Sequence, residues 1–186
     1  VLRTPQREAG ALSARLGVPV PLKCEHHQTT GSFKLRGATN AVLALDPARR
    51  EAGVVAASTG NHGRALAHAA AAAGTRAVIC MSRLVPANKV QAIEALGAEI
   101  RIVGNSQDDA QVEVDRLAAE AGMTPVPPFD HADVIAGQGT LGLEMLEDAP
   151  FATTVLVPLS GGGLLSGVAL ALRTLNPAIR IIGVTM

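Results

Sequence analysis

The chain has 186 residues, 48% of them apolar and 17% charged, with a formal net charge of zero. That length suits one ordinary domain or two small ones sharing a sheet, and the composition is that of a packed chain rather than a disordered one. Nucleic acid and membrane are excluded as main partners. There is no basic run to meet phosphates, and the longest apolar candidate, ALAHAAAAAG at 65–74, is short and broken by His68. Cys24 and Cys80 form neither a disulfide framework nor a metal spacing, and as free thiols they suit a reducing cytoplasm.

In chain order, PVPLKCE (19–25) alternates Val20, Leu22 and Cys24 on one face, as a strand would. SFKLRGATNAVLALD (32–46) reads as a helix, because Phe33, Leu35, Ala38, Val42 and Leu45 fall near helical spacing. A buried strand follows at 53–58, then a helix over 61–74 with Gly74 placed to stop it. The cycle repeats through a strand at 76–81, a helix at 87–97 and a strand at 99–104. The next helix, 106–122, opens on Ser106 and acidic residues, which suit a helix N-terminus. PVPPFD (125–130) breaks the rhythm, since its prolines cannot propagate a helix or a central strand, and it reads as a passage between subdomains. Helix resumes over 137–148, followed by a strand at 153–160, a helix at 164–175 and a last strand at 179–186. This alternation of continuous apolar strands with helices predicts an α/β fold with a parallel sheet covered on both faces.

Three stretches could carry chemistry. SGGGL (160–164) lies between a strand and a helix, where glycines let backbone N–H groups approach an anion. A plain tight turn is the alternative. A dinucleotide turn fits less well, because the next strand ends Val184-Thr185 with no carboxylate for a ribose. STGNHG (58–63) offers hydroxyls, an amide and an imidazole at the C-terminal end of a strand, where open α/β sheets bind ligands; it could equally be an ordinary capped helix start. GSFKLRG (31–37) sets Lys34, one of only three lysines, just inside a helix start and beside Phe33. Desolvation and the positive helix end would both free its amine as a nucleophile, although a solvated lysine beside Arg36 is the plainer reading. Together, a phosphate cradle, a polar turn and an amine are the parts that hold pyridoxal phosphate.

The motifs S-F-K-L-R-G-A (32–38), S-T-G-N-H (58–62), V-I-A-G-Q-G-T (134–140) and S-G-G-G-L (160–164) resemble, in order and spacing, those of the fold-type II pyridoxal phosphate enzymes, in the threonine dehydratase and serine racemase group. Within it, EHHQTTGSFKLRGATNA, ASTGNHGRALA and PLSGGGLLSGVALAL are most similar to the hydroxyectoine utilisation dehydratases. The resemblance implies a tryptophan synthase beta-like fold. A large cofactor-binding domain would take residues 1–51 and 131–186, and a smaller α/β domain residues 52–130. It also implies a β-eliminating ammonia-lyase that turns a hydroxylated amino acid into a 2-oxo acid and ammonia, in a cytoplasmic homodimer.

By the same resemblance, Lys34 would hold the cofactor covalently and move the Cα proton, Phe33 would wall the ring, and Asn61 would bond the phenolic oxygen. The N–H groups of Gly161, Gly162, Gly163 and Leu164 would hold the phosphate. Ser58, Thr59, Gly60 and His62 would surround the substrate carboxylate. Three departures carry expectations of their own. Thr59 stands where racemases have a serine, which argues against racemisation. Thr185 stands where metal-activated members have a glutamate, so no metal is expected there. The family pattern runs on beyond both ends of this chain, so a fragment with poor activity of its own is expected.

Overall fold

The computed structural model describes residues 1–58 and 60–185. A short antiparallel pair opens the chain: β1 (Gln6–Glu8) against β2 (Pro21–Lys23), with α1 (Gly10–Leu16) between them and a 3₁₀ turn at Glu25–His27 after. The alternation read at 19–25 shrinks to three paired residues, and of Val20, Leu22 and Cys24 only the last is buried, Leu22 facing solvent at 49% exposure, so they form no continuous core face. Then come α2 (Lys34–Leu43), α3 (Pro47–Ala52), β3 (Val54–Ala57), α4 (Asn61–Ala72), β4 (Ala77–Met81), α5 (Ala87–Glu94), β5 (Glu99–Ile102) and α6 (Gln107–Ala121). The chain closes with β6 (Thr124–Pro125), α7 (Ala132–Asp148), β7 (Thr154–Pro158), α8 (Gly163–Leu175) and β8 (Arg180–Val184).

The expected parallel pairing is present but split. One sheet runs β5-β4-β3-β6, all parallel, and β7 and β8 form a separate parallel pair. β3 and β4 are buried along their whole length, as strands covered on both faces must be. Pro125 is tolerated in β6 because that strand is the sheet edge, where one missing donor breaks no ladder.

Packing then positions the helices. Leu35, Ala38, Ala41 and Val42 of α2 share one core with α4, β3 and β4. On its other side α2 lies against α7 at two glycines. A Cβ on Gly37 would stand 2.7 Å from the Val134 carbonyl oxygen, and one on Gly137 would stand 2.5 Å from that of Arg36. α7 and α8 approach as closely at Gly139 and Gly167. The three helices therefore stack backbone to backbone.

A buried charge cluster ties this stack to the N-terminal segment. The Arg36 guanidinium, 1% exposed, grips Glu25 through Nε (2.9 Å) and Nη2 (2.8 Å), and Glu144 through Nη1 (2.7 Å) and Nη2 (2.9 Å). Burial opposes the charge, but the hydrogen bonds to Glu25 and Glu144 outweigh it and raise the Arg36 pKa above its ordinary value. Lys23 extends the cluster, 2.7 Å from Glu144 and 2.9 Å from Asp148.

Candidate active site

Lys34 is the first residue of α2 and sits between two aromatic rings, with Nζ 5.3 Å from the centre of Phe33 and 5.9 Å from that of Phe129. Nζ donates to the Pro128 carbonyl oxygen at 2.5 Å. Burial lowers the Lys34 pKa below that of an ordinary lysine, because an ammonium loses more hydration than an amine does. Desolvation, one of the two causes expected from the sequence, is the one the structure supplies.

The polar turn is built around its own backbone. Ser58 follows β3, and its Oγ accepts from the N–H of Gly63 at 2.9 Å and of Gly60 at 3.4 Å, satisfying donors that the start of α4 leaves free. Gly60 precedes α4, and Asn61, its first residue, presents an exposed amide. His62 is 3% exposed, and its Nε2 donates to the Val126 carbonyl oxygen at 2.7 Å. Burial pushes its pKa down to about 4, the Val126 carbonyl partly opposing this and the nearby Lys34 charge adding to it. Its imidazole is therefore neutral at pH 7, and Nδ1 has no hydrogen-bond partner among the described residues. Thr59 lies outside the described residues.

The glycine loop closes the arrangement. Gly162 caps α8 at φ 88°, a left-handed conformation suited to glycine, which leaves the N–H groups at the start of α8 without intrahelical acceptors. A Cβ on Gly161 would fall 2.4 Å from the Phe129 ring, and one on Gly163 2.5 Å from the Phe129 carbonyl oxygen. Phe129 thus touches the glycine loop on one side and covers Lys34 on the other. The structure brings Lys34 and the loop Gly161–Gly163 to this one ring, with Phe33 against Lys34. The side chains of Ser58 and His62 are turned onto backbone instead.

PVPPFD, read from the sequence as a mere connection, supplies three of the groups at this centre: the Val126 and Pro128 carbonyls and the Phe129 ring. A signal was available, since the chain has only three phenylalanines and two of them flank Lys34. Two open surface concavities, one at Arg3–Gln6 and Asp148, the other between Ser82 and Ile102, do not include Lys34. The convergence of groups, rather than the size of a hollow, marks the site. Among the described residues no cluster of three or more His, Cys, Asp or Glu could hold a metal ion, and no helix is long and apolar enough to cross a membrane.

A half-buried amine between rings, near a glycine-rich helix start, is the arrangement of a protein that holds a phosphorylated aldehyde cofactor. The chain belongs to the pyridoxal-phosphate dependent enzyme family, whose pattern matches residues 1–186. It is 62% identical over its full length to a threonine dehydratase-like protein of Sinorhizobium fredii, of which it covers 56%. It is 44% identical over 184 residues to the L-threonine ammonia-lyase of Thermotoga maritima, covering 99% of this chain and 46% of that one. Among solved structures, maize serine racemase superposes with a TM-score of 0.94 at 41% identity, covering 98% of this chain and 55% of the racemase. The chain therefore spans about half the length of the relatives it matches.

The residues present fit pyridoxal phosphate. The desolvated Nζ of Lys34 is an amine suited to an aldehyde, and the phenyl rings offer apolar cover for a pyridine ring. Gly162 faces open space at the start of α8, where free N–H groups suit a phosphate.

Proposed function

We propose that this chain forms the lysine-bearing part of a pyridoxal phosphate-dependent ammonia-lyase, which converts a β-hydroxy amino acid to a 2-oxo acid and ammonia. The observation that carries this reading is the half-buried Lys34 amine, set between Phe33 and Phe129, the second of which also touches the glycine loop. Lys34 would hold the cofactor, the N–H groups of Gly161, Gly162, Gly163 and Leu164 its phosphate, and Asn61 its phenolic oxygen. When bound, pyridoxal phosphate supplies the electron sink that stabilises charge at the substrate Cα. Lys34 Nζ is the proton carrier for that carbon, and its lowered pKa increases the share of neutral amine able to accept the proton. The turn Ser58–His62 would face the substrate carboxylate through its backbone, since the Ser58 oxygen and the His62 imidazole already have backbone partners.

L-Threonine and L-serine are the first substrates to test, because the relatives carry threonine dehydratase and L-threonine ammonia-lyase names. A step in hydroxyectoine or ectoine breakdown is the finer reading, and its support is the resemblance of residues 25–41, 57–67 and 158–172 alone. A non-catalytic phosphate- or nucleotide-binding α/β module is the rival from another class, and the desolvated amine argues against it. The division into 52–130 and the two flanking segments is part of the proposal. It is supported by a four-stranded sheet whose strands all fall between Val54 and Pro125. A cytoplasmic homodimer is its expected setting.

The test is the visible spectrum with added pyridoxal phosphate, then borohydride reduction and peptide mapping. A yellow species trapped on Lys34 and absent in Lys34→Ala supports the reading. Label scattered over Lys23 and Lys89, or cofactor binding unchanged in Lys34→Ala, replaces it with the binding module. Release of 2-oxo acid from threonine, serine and a hydroxyectoine-derived amino acid then separates the substrates.

A further inference from the structure

We propose that His62 is a positioning residue for Lys34: its imidazole fixes the strap Val126–Phe129, and the strap in turn holds the Lys34 amine and covers it. The strap is anchored at three points. The Val126 N–H donates to the Val55 carbonyl oxygen of β3 at 2.9 Å, and the Val126 carbonyl accepts from His62 Nε2 at 2.7 Å. The Phe129 carbonyl accepts from the His131 N–H at 3.2 Å, at the start of α7. Between these anchors, the Pro128 carbonyl receives Lys34 Nζ, and the Phe129 ring spans Lys34 and the glycine loop.

Pro127 and Pro128 have no N–H to tie this stretch to the sheet, so a side-chain donor must do what a ladder would do elsewhere. His62 is the side chain that does it. It is buried, it reaches across 64 positions in sequence, and it spends its one N–H on the strap. A neutral imidazole suits the task, because it donates from one nitrogen without placing a second cation beside Lys34.

The strap rests on Lys34 being the cofactor-holding amine, and the borohydride experiment reads that role separately. A Lys34 that traps no cofactor removes the reason for the positioning, whatever its titration. The direct test uses the protein without cofactor and trace acetic anhydride across a pH series, with the three lysines resolved by peptide mass. Lys89 is exposed and serves as the internal reference for labelling, while Lys23 is buried in the charge cluster and reports the integrity of the fold.

In His62→Leu the Lys34 midpoint should rise, read as about a tenfold loss of neutral amine at a fixed pH, with Lys23 still protected. His62→Gln keeps an N–H donor and should stay at the wild-type midpoint. An unmoved midpoint in a folded His62→Leu overturns the proposal, and so does an equal shift in both variants. Should His62→Leu lose Lys23 protection, nitrogen-15 NMR of the wild-type imidazole decides. A proton on Nε2 that couples to a carbonyl supports the strap, and a proton on Nδ1 alone overturns it.

Discussion

Gly37 and Gly137 bring two helix backbones into direct contact: the Gly37 Cα lies 2.6 Å from where a Cβ on Gly137 would stand. Lys34 sits one turn before Gly37 in α2, and α7 carries the second contact, through Gly139 to Gly167 of α8. The close approach at these glycines therefore fixes the distance from Lys34 to the glycine loop. A larger residue at either crossing would move the amine away from the glycine loop.

Gly137→Ala should destabilise the protein by about 1–3 kcal/mol, the usual cost of overpacking. The added methyl meets the Arg36 carbonyl and the Gly37 Cα, and neither can swing aside as a side-chain tip could. Urea unfolding should show a lower midpoint at unchanged slope. An unchanged midpoint would mean that the helices separate freely and that the crossing does not set the spacing.

The glycine loop offers a finer contrast. A methyl on Gly161 meets side chain alone, the Phe129 ring, which is 41% exposed and can shift outward. A methyl on Gly163 meets Phe129 backbone at 2.5 to 3.1 Å. Gly163→Ala should therefore cost about 1–3 kcal/mol, and Gly161→Ala under about 1. Both should weaken phosphate retention, read as release of cofactor on dialysis. Equal unfolding midpoints for the two would show that the Phe129 backbone moves as easily as its ring.

Arg36→Met removes the cation shared by Glu25 and Glu144 and leaves two carboxylates facing one hydrocarbon. Breaking such a buried pair costs roughly 3–5 kcal/mol, while neutralising both partners as well recovers much of it. Thermal unfolding of Arg36→Met should show a large loss, and the triple change with Glu25→Gln and Glu144→Gln a smaller one. A triple variant no better than Arg36→Met would show that the shape of the guanidinium matters more than its charge.

The sequence carried the long elements because their apolar periods are strong. Leu35, Ala38 and Val42 are buried at the helical spacing read for them, and β3 and β4 are apolar from end to end. It failed where the signal was short or unusual. β1 contains no apolar residue, and α3 has its Asp46 cap and Pro47 but no buried residue to reveal a face. α7 starts at Ala132, five residues earlier than its sequence suggested, because its cap is a histidine: His131 Nδ1 accepts from the Asp133 N–H. At the site, Lys34 and the glycine loop were legible from residue type. The strap was not, because its work is done by the Val126 and Pro128 carbonyls, which any residue could supply.

The neutral His62 gives stability a pH dependence whose sign is fixed. Its folded pKa of about 4 lies below the ordinary value near 6.5, so between those values the unfolded chain binds a proton that the folded one does not. The resulting contribution is fully present above about pH 6.5. It falls on acidification by at most about 1.4 kcal/mol per unit and is lost as pH passes through about 4. Denaturant unfolding from pH 7 to pH 4 should show this decline in the wild type and a flatter profile in His62→Gln, which has nothing to titrate there. Glu144 and Asp148 also have lowered pKa values, the first against its burial and through hydrogen bonds from Arg36 and Lys23, the second mainly through those from Arg3 and Lys23. Their loss comes below the ordinary carboxylate range and should remain in His62→Gln, so below about pH 4 the wild-type and His62→Gln profiles should run parallel. Parallel profiles from pH 6.5 to pH 4 would mean that His62 takes up its proton without leaving the Val126 carbonyl.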